Sequence, residues 1–395
     1  MIVRARWVLP IERPPIDGGW VAIEDGVISA IGDGPPPAGP VTDLGDTAIL
    51  PGLVNAHTHL ELSWLEGRLP PASSMPVWVR DLMKLRREDA PDEGAQRDAA
   101  ATALSAARSL GTIAFGDISN TLMSSKPLHD FKAPSVLFHE LLGFLPDGVE
   151  RRAESAAGDV TRVTKAPVAP GLAPHAPYST SPEMFQAIAR AAAARKIPVS
   201  VHLGESPEEV ELLLTGGGPF ADLLKDLGVW REDWSVPGCD AVTYLDRLGV
   251  LTPGLLAVHC TQLRREALAT LAARGCTIVS CPRSNRWVGA GDPPLDDFYA
   301  SGAVVALGTD SLASVGSLDM FDELAAARRV STVPDTRLLE SATRGGAIAL
   351  GLDVSYGRIA PGLRGPLLAV NVPAGVSDVE QYLVAGEHQE RQWVG

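Results

Sequence analysis

A chain of 395 residues, 45% of them hydrophobic, is long enough to bury a large core and to divide into more than one domain. Its formal net charge of −14 argues against a nucleic-acid backbone or an anionic membrane surface as partner, and leaves a base or nucleoside open as a small ligand. No apolar run reaches the length of a membrane span, the start has no signal-peptide order, and four cysteines in so long a chain make no disulfide framework, which together point to a reduced, cytoplasmic protein.

The first fifty residues read as β-structure. "MIVRARWVL", "GWVAIEDGVISAIG" and "VTDLGDTAIL" alternate or run apolar between Gly/Pro punctuation, and "EDG" is a hairpin-type turn. The far end, "GRIAPGLRGPLLAVNVP", has the same character. Between these ends the pattern changes to strands alternating with helices. The strand candidates are "LPGLVNAH", "GTIAFGDIS", "SVLFHELLG", "PVAPGLAPHAP", "PVSVHLGE", "GLLAVHC", "CTIVSCPRS" and "AVVALGTDS". Helical spacing fills the gaps, as in "EGAQRDAAATALSAARSL" and "REALATLAARG". Ser181-Pro182 and Ser206-Pro207 are start signals, a Ser cap followed by Pro at the first helical position. Eight such β units predict an α/β fold of the parallel (β/α)8 TIM barrel type, with its active site at the C-terminal ends of the strands.

Those ends carry chemistry. The first strand finishes in "NAHTH", where residues two apart face the same way and so His57 and His59 share one side. Asp117 ends the second strand. His139 and Glu140 lie on the third and His175 ends the fourth. The fifth gives His202, with Glu205 three residues on. His259 ends the sixth, Ser284 and Asn285 follow the seventh, and Asp310 the eighth. His129 and His388 stand apart and read as ordinary satisfied histidines, while His139 leaves both readings open. Imidazoles and a carboxylate converging on one barrel mouth are costly to desolvate unless something pairs them. For His57, His59, His202 and Asp310 a divalent metal with N and O ligands fits.

With "PGLVNAHTH", "HLGES", "VHC", "CPRSN" and "ALGTDS" in that order, the chain resembles the amidohydrolase superfamily over its whole length. The resemblance implies that the β-rich ends, 1–50 and 346–395, form a composite β-sandwich domain beside a catalytic barrel of 51–345. The fourth strand ends "APHAPY" without the bridging lysine of binuclear members, so the pattern is similar to the mononuclear deaminase branch. By that resemblance His57, His59, His202 and Asp310 ligate one metal, Zn²⁺ or Fe²⁺. Glu205 shuttles protons, His259 holds the attacking water and His175 contacts substrate. Asp310 is also the natural first acceptor of the water's proton. Glu205 has a competing reading as a carboxylate at a helix N-terminus, which suits Glu208 and Glu209 better.

Trp64 and Trp78 could stack on a flat base, and residues 74–88 could form a lid over the mouth; packing of that helix on the barrel explains the same residues. Glu140, Ser284 and Asn285 are further candidate substrate contacts. "TGGGPF" lacks the Lys-Ser/Thr of a phosphate loop, and Cys276 and Cys281 read as core thiols. Within the branch, "NAHTHLELS" and the Trp-containing helix after it resemble aminofutalosine deaminases of the menaquinone route. The expected reaction is hydrolytic release of ammonia from a 6-aminopurine nucleoside. Aminodeoxyfutalosine leads, with adenosine, methylthioadenosine and S-adenosylhomocysteine behind it. A cyclic-amide hydrolase, a chlorohydrolase, a guanine or pterin deaminase and, last, a non-catalytic metal-binding scaffold are the alternatives. Oligomeric state is left open, a homo-oligomer included.

Overall fold

The computed structural model describes residues 1–386 and 390–395, so His388 lies outside the described residues. The strands before the barrel are β1 (Ile2–Arg4), β2 (Trp7–Val8), β3 (Ile16–Asp17), β4 (Trp20–Glu24), β5 (Val27–Gly32), β6 (Val41–Asp43) and β7 (Thr47–Pro51). The barrel strands follow: β8 (Leu53–Thr58), β9 (Thr112–Ser119), β10 (Ser135–Leu141), β11 (Val168–Pro174), β12 (Ser200–Leu203), β13 (Leu256–His259), β14 (Thr277–Ser280) and β15 (Val304–Leu307). Two more, β16 (Leu367–Asn371) and β17 (Arg391–Val394), close the chain.

Each barrel strand falls on a segment expected from the sequence. The strands pair in parallel and in chain order from β8 to β11 and from β12 to β15. Parallel bridges Leu172↔Val199 and Thr58↔Asp310 close the ring. The second bridge matters for function, because it brings the ends of β8 and β15 together. Strands buried on both faces read as continuous apolar runs, which is why these were visible in the sequence. The Ser caps also form. Ser181 Oγ accepts from the Met184 amide and Ser206 Oγ from the Glu209 amide.

The chain's two ends build two facing sheets, β5-β4-β1-β6 and β17-β16-β7-β2-β3. β16 lies antiparallel beside β7, with Leu367 opposite Pro51. Val3, Val21 and Ile28 from one sheet meet Val8, Ile49 and Leu367 from the other in one buried cluster. Asp25 and Gly26 turn the β4–β5 hairpin with φ of 50° and 74°, the left-handed pair that such a turn requires. β7 leads through Gly52 straight into β8, so the sandwich delivers the chain to the strand that carries His57. The helix Gly346–Ala349 packs on β8 and β15, beyond the expected barrel limit of 345. Glycine is required there. A Cβ on Gly345 would lie 2.3 Å from the Val305 carbonyl oxygen, and one on Gly346 2.8 Å from Val54.

Candidate metal centre and active site

Backbone and side-chain bonds lock the ends of β8 and β15 together. Asn55 Nδ2 donates to Thr309 Oγ1 at 2.8 Å, and its Oδ1 accepts from the Thr309 amide at 3.1 Å. The Thr309 and Asp310 amides both donate to the His57 carbonyl, at 3.1 and 3.0 Å. The turn is tight enough that a Cβ on Gly308 would sit 2.8 Å from the His57 backbone oxygen. Asp310 takes φ of 61° and His259 of 72°, strained values for residues with a side chain. Strain of this kind gathers where a site needs a side chain aimed.

The aim is a common point. His57 Nε2 and His202 Nε2 are 3.3 Å apart. Asp310 Oδ1 lies 3.4 Å from His59 Nε2 and 3.7 Å from His57 Nε2. Ligand atoms at zinc distance on a tetrahedron are roughly 3.3 Å apart, so the four donors are spaced to take one divalent ion. Their protonation also fits. Burial pushes the imidazoles of His57, His59 and His202 below the usual histidine range, into the neutral form that binds metal. Burial would raise Asp310, but the neighbouring His59 and His57, with His259 and Ser284, hold it below the usual carboxylate range. His202 Nδ1 bonds the His175 carbonyl at 3.0 Å, which leaves Nε2 to face the cluster.

Two further groups stand beside the donors. Glu205 is buried, and its Oε1 is 3.5 Å from His259 Nε2. Burial, then the nearby Asp310 and Glu209, push its pKa well above the ordinary carboxyl value, which favours the protonated form. Glu209 is the helix-terminus carboxylate, accepting from the Gly204 and Glu205 amides at 3.0 Å each. His175 lines the cavity, its Nδ1 2.5 Å from Ser179 Oγ. Burial lowers it to about 3. Glu140 bonds Asn120 Nδ2 through Oε2 at 2.9 Å, while its buried Oε1 has no hydrogen-bond partner and lies 3.7 Å from His202 Nδ1. Burial lifts Glu140 to about 8.

Three expected substrate contacts lie elsewhere. Ser284 Oγ donates to Asp310 Oδ2 at 2.5 Å, and Asn285 Oδ1 bonds His259 Nδ1 at 2.8 Å. Both are fully buried behind the groups they hold, outside the cavity lining. Trp64 packs on the core under the Arg68 guanidinium, 5.2 Å from its ring centre, and does not line the cavity. Trp78 does line it, anchored by its Nε1 to the Ala313 carbonyl at 3.3 Å. His139 bonds the Ala156 and Asn120 carbonyls and His129 bonds that of Val163, so both are structurally satisfied.

The cavity above the donors measures about 240 Å³. The helix Met75–Glu88 walls it with Met75, Trp78, Val79, Leu82, Met83 and Arg86, a spacing that marks one face of a helix. The region expected as a lid therefore borders the cavity. Phe220, Leu223 and Leu224 of the helix Pro219–Asp226 form the opposite wall. Sequence reading missed Glu61. Its buried carboxylate accepts from Ser119 Oγ at 2.7 Å, the Asn120 amide at 3.0 Å, and the Thr121 amide and hydroxyl at 3.1 and 2.8 Å. It thereby positions Asn120 against Glu140. Its place in "HTHLELS", right after the paired histidines, was the available signal.

Neutral nitrogen donors packed around one point at a barrel mouth, with a buried carboxyl of raised pKa beside them, suit a metal-dependent hydrolase. The chain belongs to the amidohydrolase family, whose description matches residues 48–387. An aminodeoxyfutalosine deaminase of Deinococcus radiodurans is 31% identical over 320 residues, 77% of this chain and 73% of that one. A 5-methylthioadenosine/S-adenosylhomocysteine deaminase of Moorella thermoacetica is 29% identical over 391 residues, covering 94% of this chain and 86% of its own. The crystal structure of Helicobacter pylori aminofutalosine deaminase with methylthio-coformycin superposes with a TM-score of 0.88 at 24% identity, over 99% of this chain and 97% of that one. The protein is thus a hydrolytic enzyme that breaks carbon–nitrogen bonds. No described helix is long and apolar enough to cross a membrane.

Proposed function

We propose that this enzyme replaces the amino group of a 6-aminopurine nucleoside with oxygen from water, releasing ammonia, and that aminodeoxyfutalosine is its leading substrate. The observation that carries the reading is Glu205, a buried carboxyl group 3.5 Å from His259 Nε2 at the edge of the donor cluster, its pKa raised by burial. Attack on an aminopurine needs a proton on the ring nitrogen and then one on the departing amine. Glu205 can give the first, and the proton that Asp310 takes from the water can go to the second. The proton lost by the added hydroxyl as the carbonyl forms returns to Glu205. The names of the Deinococcus and Moorella relatives support the same substrate class.

In this reading His57, His59, His202 and Asp310 hold one Zn²⁺ or Fe²⁺. Such an ion, when bound, lowers the pKa of water from about 15.7 to about 7. Asp310 accepts the proton that the water gives up. His259, its Nδ1 tied to Asn285, presents Nε2 to the same water from the other side. Trp78 packs on the base, and His175 and Oε1 of Glu140, which has no hydrogen-bond partner within the protein, hydrogen-bond the substrate. We assign the segments 1–50 and 346–395 to one supporting domain, except that Gly346–Ala349 packs with the barrel. Free cysteines, three of the four buried, fit the cytoplasm.

The test is a panel on metal-loaded protein: adenosine, methylthioadenosine, S-adenosylhomocysteine, aminodeoxyfutalosine, guanine, a pterin and a chlorotriazine. Ultraviolet change and ammonia release are the readouts. The adenine nucleosides should turn over, aminodeoxyfutalosine fastest. Turnover of only the chlorotriazine would transfer the same centre to the alternative chemistry and end the deaminase reading.

A further inference from the structure

Glu140, His175 and His202 form a second donor group beside the first: each brings one ligand atom within 4.8 Å of the other two. The two groups share His202 and divide it unequally. Its Nε2 faces His57 Nε2 at 3.3 Å, while its Nδ1 bonds the His175 carbonyl at 3.0 Å. A carbonyl only accepts, so Nδ1 carries the ring's hydrogen and Nε2 alone can ligate. That nitrogen goes to the first ion. Glu140 and His175 remain for a second.

Both line the cavity, and both are prepared for an ion. The Oε1 of Glu140 is buried and takes no hydrogen bond from the described residues. A carboxylate oxygen left bare there is costly until a cation or a donor pairs it. On His175, Ser179 Oγ donates to the Ala176 carbonyl at 3.2 Å and so accepts from Nδ1 at 2.5 Å. Nε2 is therefore the unprotonated nitrogen, the form that binds metal. Among the surrounding charges, Glu61 and Asp310 favour a cation at Glu140, while Arg86 opposes one at both groups. We propose that Glu140 and His175 are the protein ligands of a second, weaker divalent-cation site, and that an ion held there inhibits the enzyme by taking the substrate's place. Zn²⁺ suits one nitrogen and one oxygen donor, whereas Mg²⁺ prefers oxygen and gives up water reluctantly. Two side-chain ligands, close to another dication and to Arg86, hold an ion less tightly than the four of the first site. The proposal rests on the reading of Glu140 and His175 as substrate contacts and adds an ion that competes for them.

The test titrates Zn²⁺ into enzyme that already holds one equivalent. Binding is followed by competition with a chelating dye, and rate by methylthioadenosine turnover. Wild type should take up a second Zn²⁺ that raises KM and leaves kcat within about twofold, as expected of an ion that excludes substrate. Mg²⁺ should do neither. Glu140→Gln, close in shape, should keep the first equivalent and weaken the second by about 10-fold or more, the scale of losses around metal sites. Arg86→Ala should tighten the second ion, because an opposing charge is gone. A second Zn²⁺ that binds Glu140→Gln as tightly as wild type would overturn the site. So would the uptake of one equivalent only, or inhibition that lowers kcat at unchanged KM. The dye needs no turnover. If the protein deaminates nothing, the deaminase reading falls by itself, and Glu140-dependent uptake of a second ion, displaced by methylthioadenosine, still decides the site.

Discussion

Asn285 works through its neighbours. Its Nδ2 donates to Thr261 Oγ1 at 2.9 Å, which fixes the amide so that Oδ1 accepts from His259 Nδ1 at 2.8 Å. His259 is then left with an unprotonated Nε2 facing Glu205. An Asn285→Ala enzyme should free the ring and lower kcat roughly 10- to 100-fold, the scale of a misaligned catalytic group, while KM and metal content hold. Kinetics with metal analysis would check this; a KM effect alone would return Asn285 to substrate binding. The residue types of the donor set were legible in the sequence because few contexts other than a metal bring such groups to strand ends. The direction each side chain takes was not. Ser284 and Asn285 sit on the short helix Pro282–Trp287 after β14, where one rotation decides between cavity and support. Trp64 and Trp78 differ in the same way. The first lies on the 3-10 turn Leu60–Leu65 and faces the core, the second on an α-helix whose face borders the cavity.

The short helix Pro282–Trp287 joins two networks. Ser284 and Asn285 hold Asp310 and His259 on its inner side. On its outer side Arg283 pairs with Glu323 at 2.6 Å and Asp322 at 3.1 Å, and bonds Ser317 Oγ at 3.0 Å. This anchors it to the helix Met320–Arg329. Burial raises the Glu323 carboxyl to about 7 from an ordinary 4.5, against the pull of Arg283. The folded protein therefore binds this proton more tightly than the unfolded chain. The stability it contributes is full below about pH 4.5 and is lost as pH rises through about 7. Glu323→Gln cannot titrate, so wild type should lose stability relative to this variant across that window and hold level above it. Urea unfolding at about pH 5 and about pH 8 measures it. A difference that stays constant between the two would contradict the raised pKa. Arg283 stands in the quoted "CPRSN", but its partners lie some forty residues on, beyond the range of any spacing rule. The barrel strands were readable because each is a continuous apolar run. The π-turn Ser341–Gly345 was not, since it arises from packing against β15 and β8.

Across the whole molecule, the last strand fastens the sandwich to the barrel. Trp393 Nε1 donates to the Arg108 carbonyl at 2.8 Å, and Arg391 pairs with Asp319 at 2.8 Å in a nearly buried contact. The β character of both chain ends was legible from composition. The register of β16 on β7 was not, because nothing local specifies pairing across some three hundred residues. Together these scales give one account: two chain ends brace a barrel, β8 and β15 are bonded at their tips, and those tips with the end of β12 aim three imidazoles, the Asp310 carboxylate and the buried Glu205 at one spot. The measurement that tests it most directly is ammonia released per aminodeoxyfutalosine consumed, with wild type and Glu205→Gln each loaded with one equivalent of metal. Wild type should release one ammonia per nucleoside, lose activity to a chelator and regain it with the ion. Glu205→Gln should keep its metal and lose rate by roughly 100-fold or more, as expected for a general acid. Metal-replete wild type that releases no ammonia from any 6-aminopurine nucleoside, or a Glu205→Gln enzyme as fast as wild type, would contradict the account.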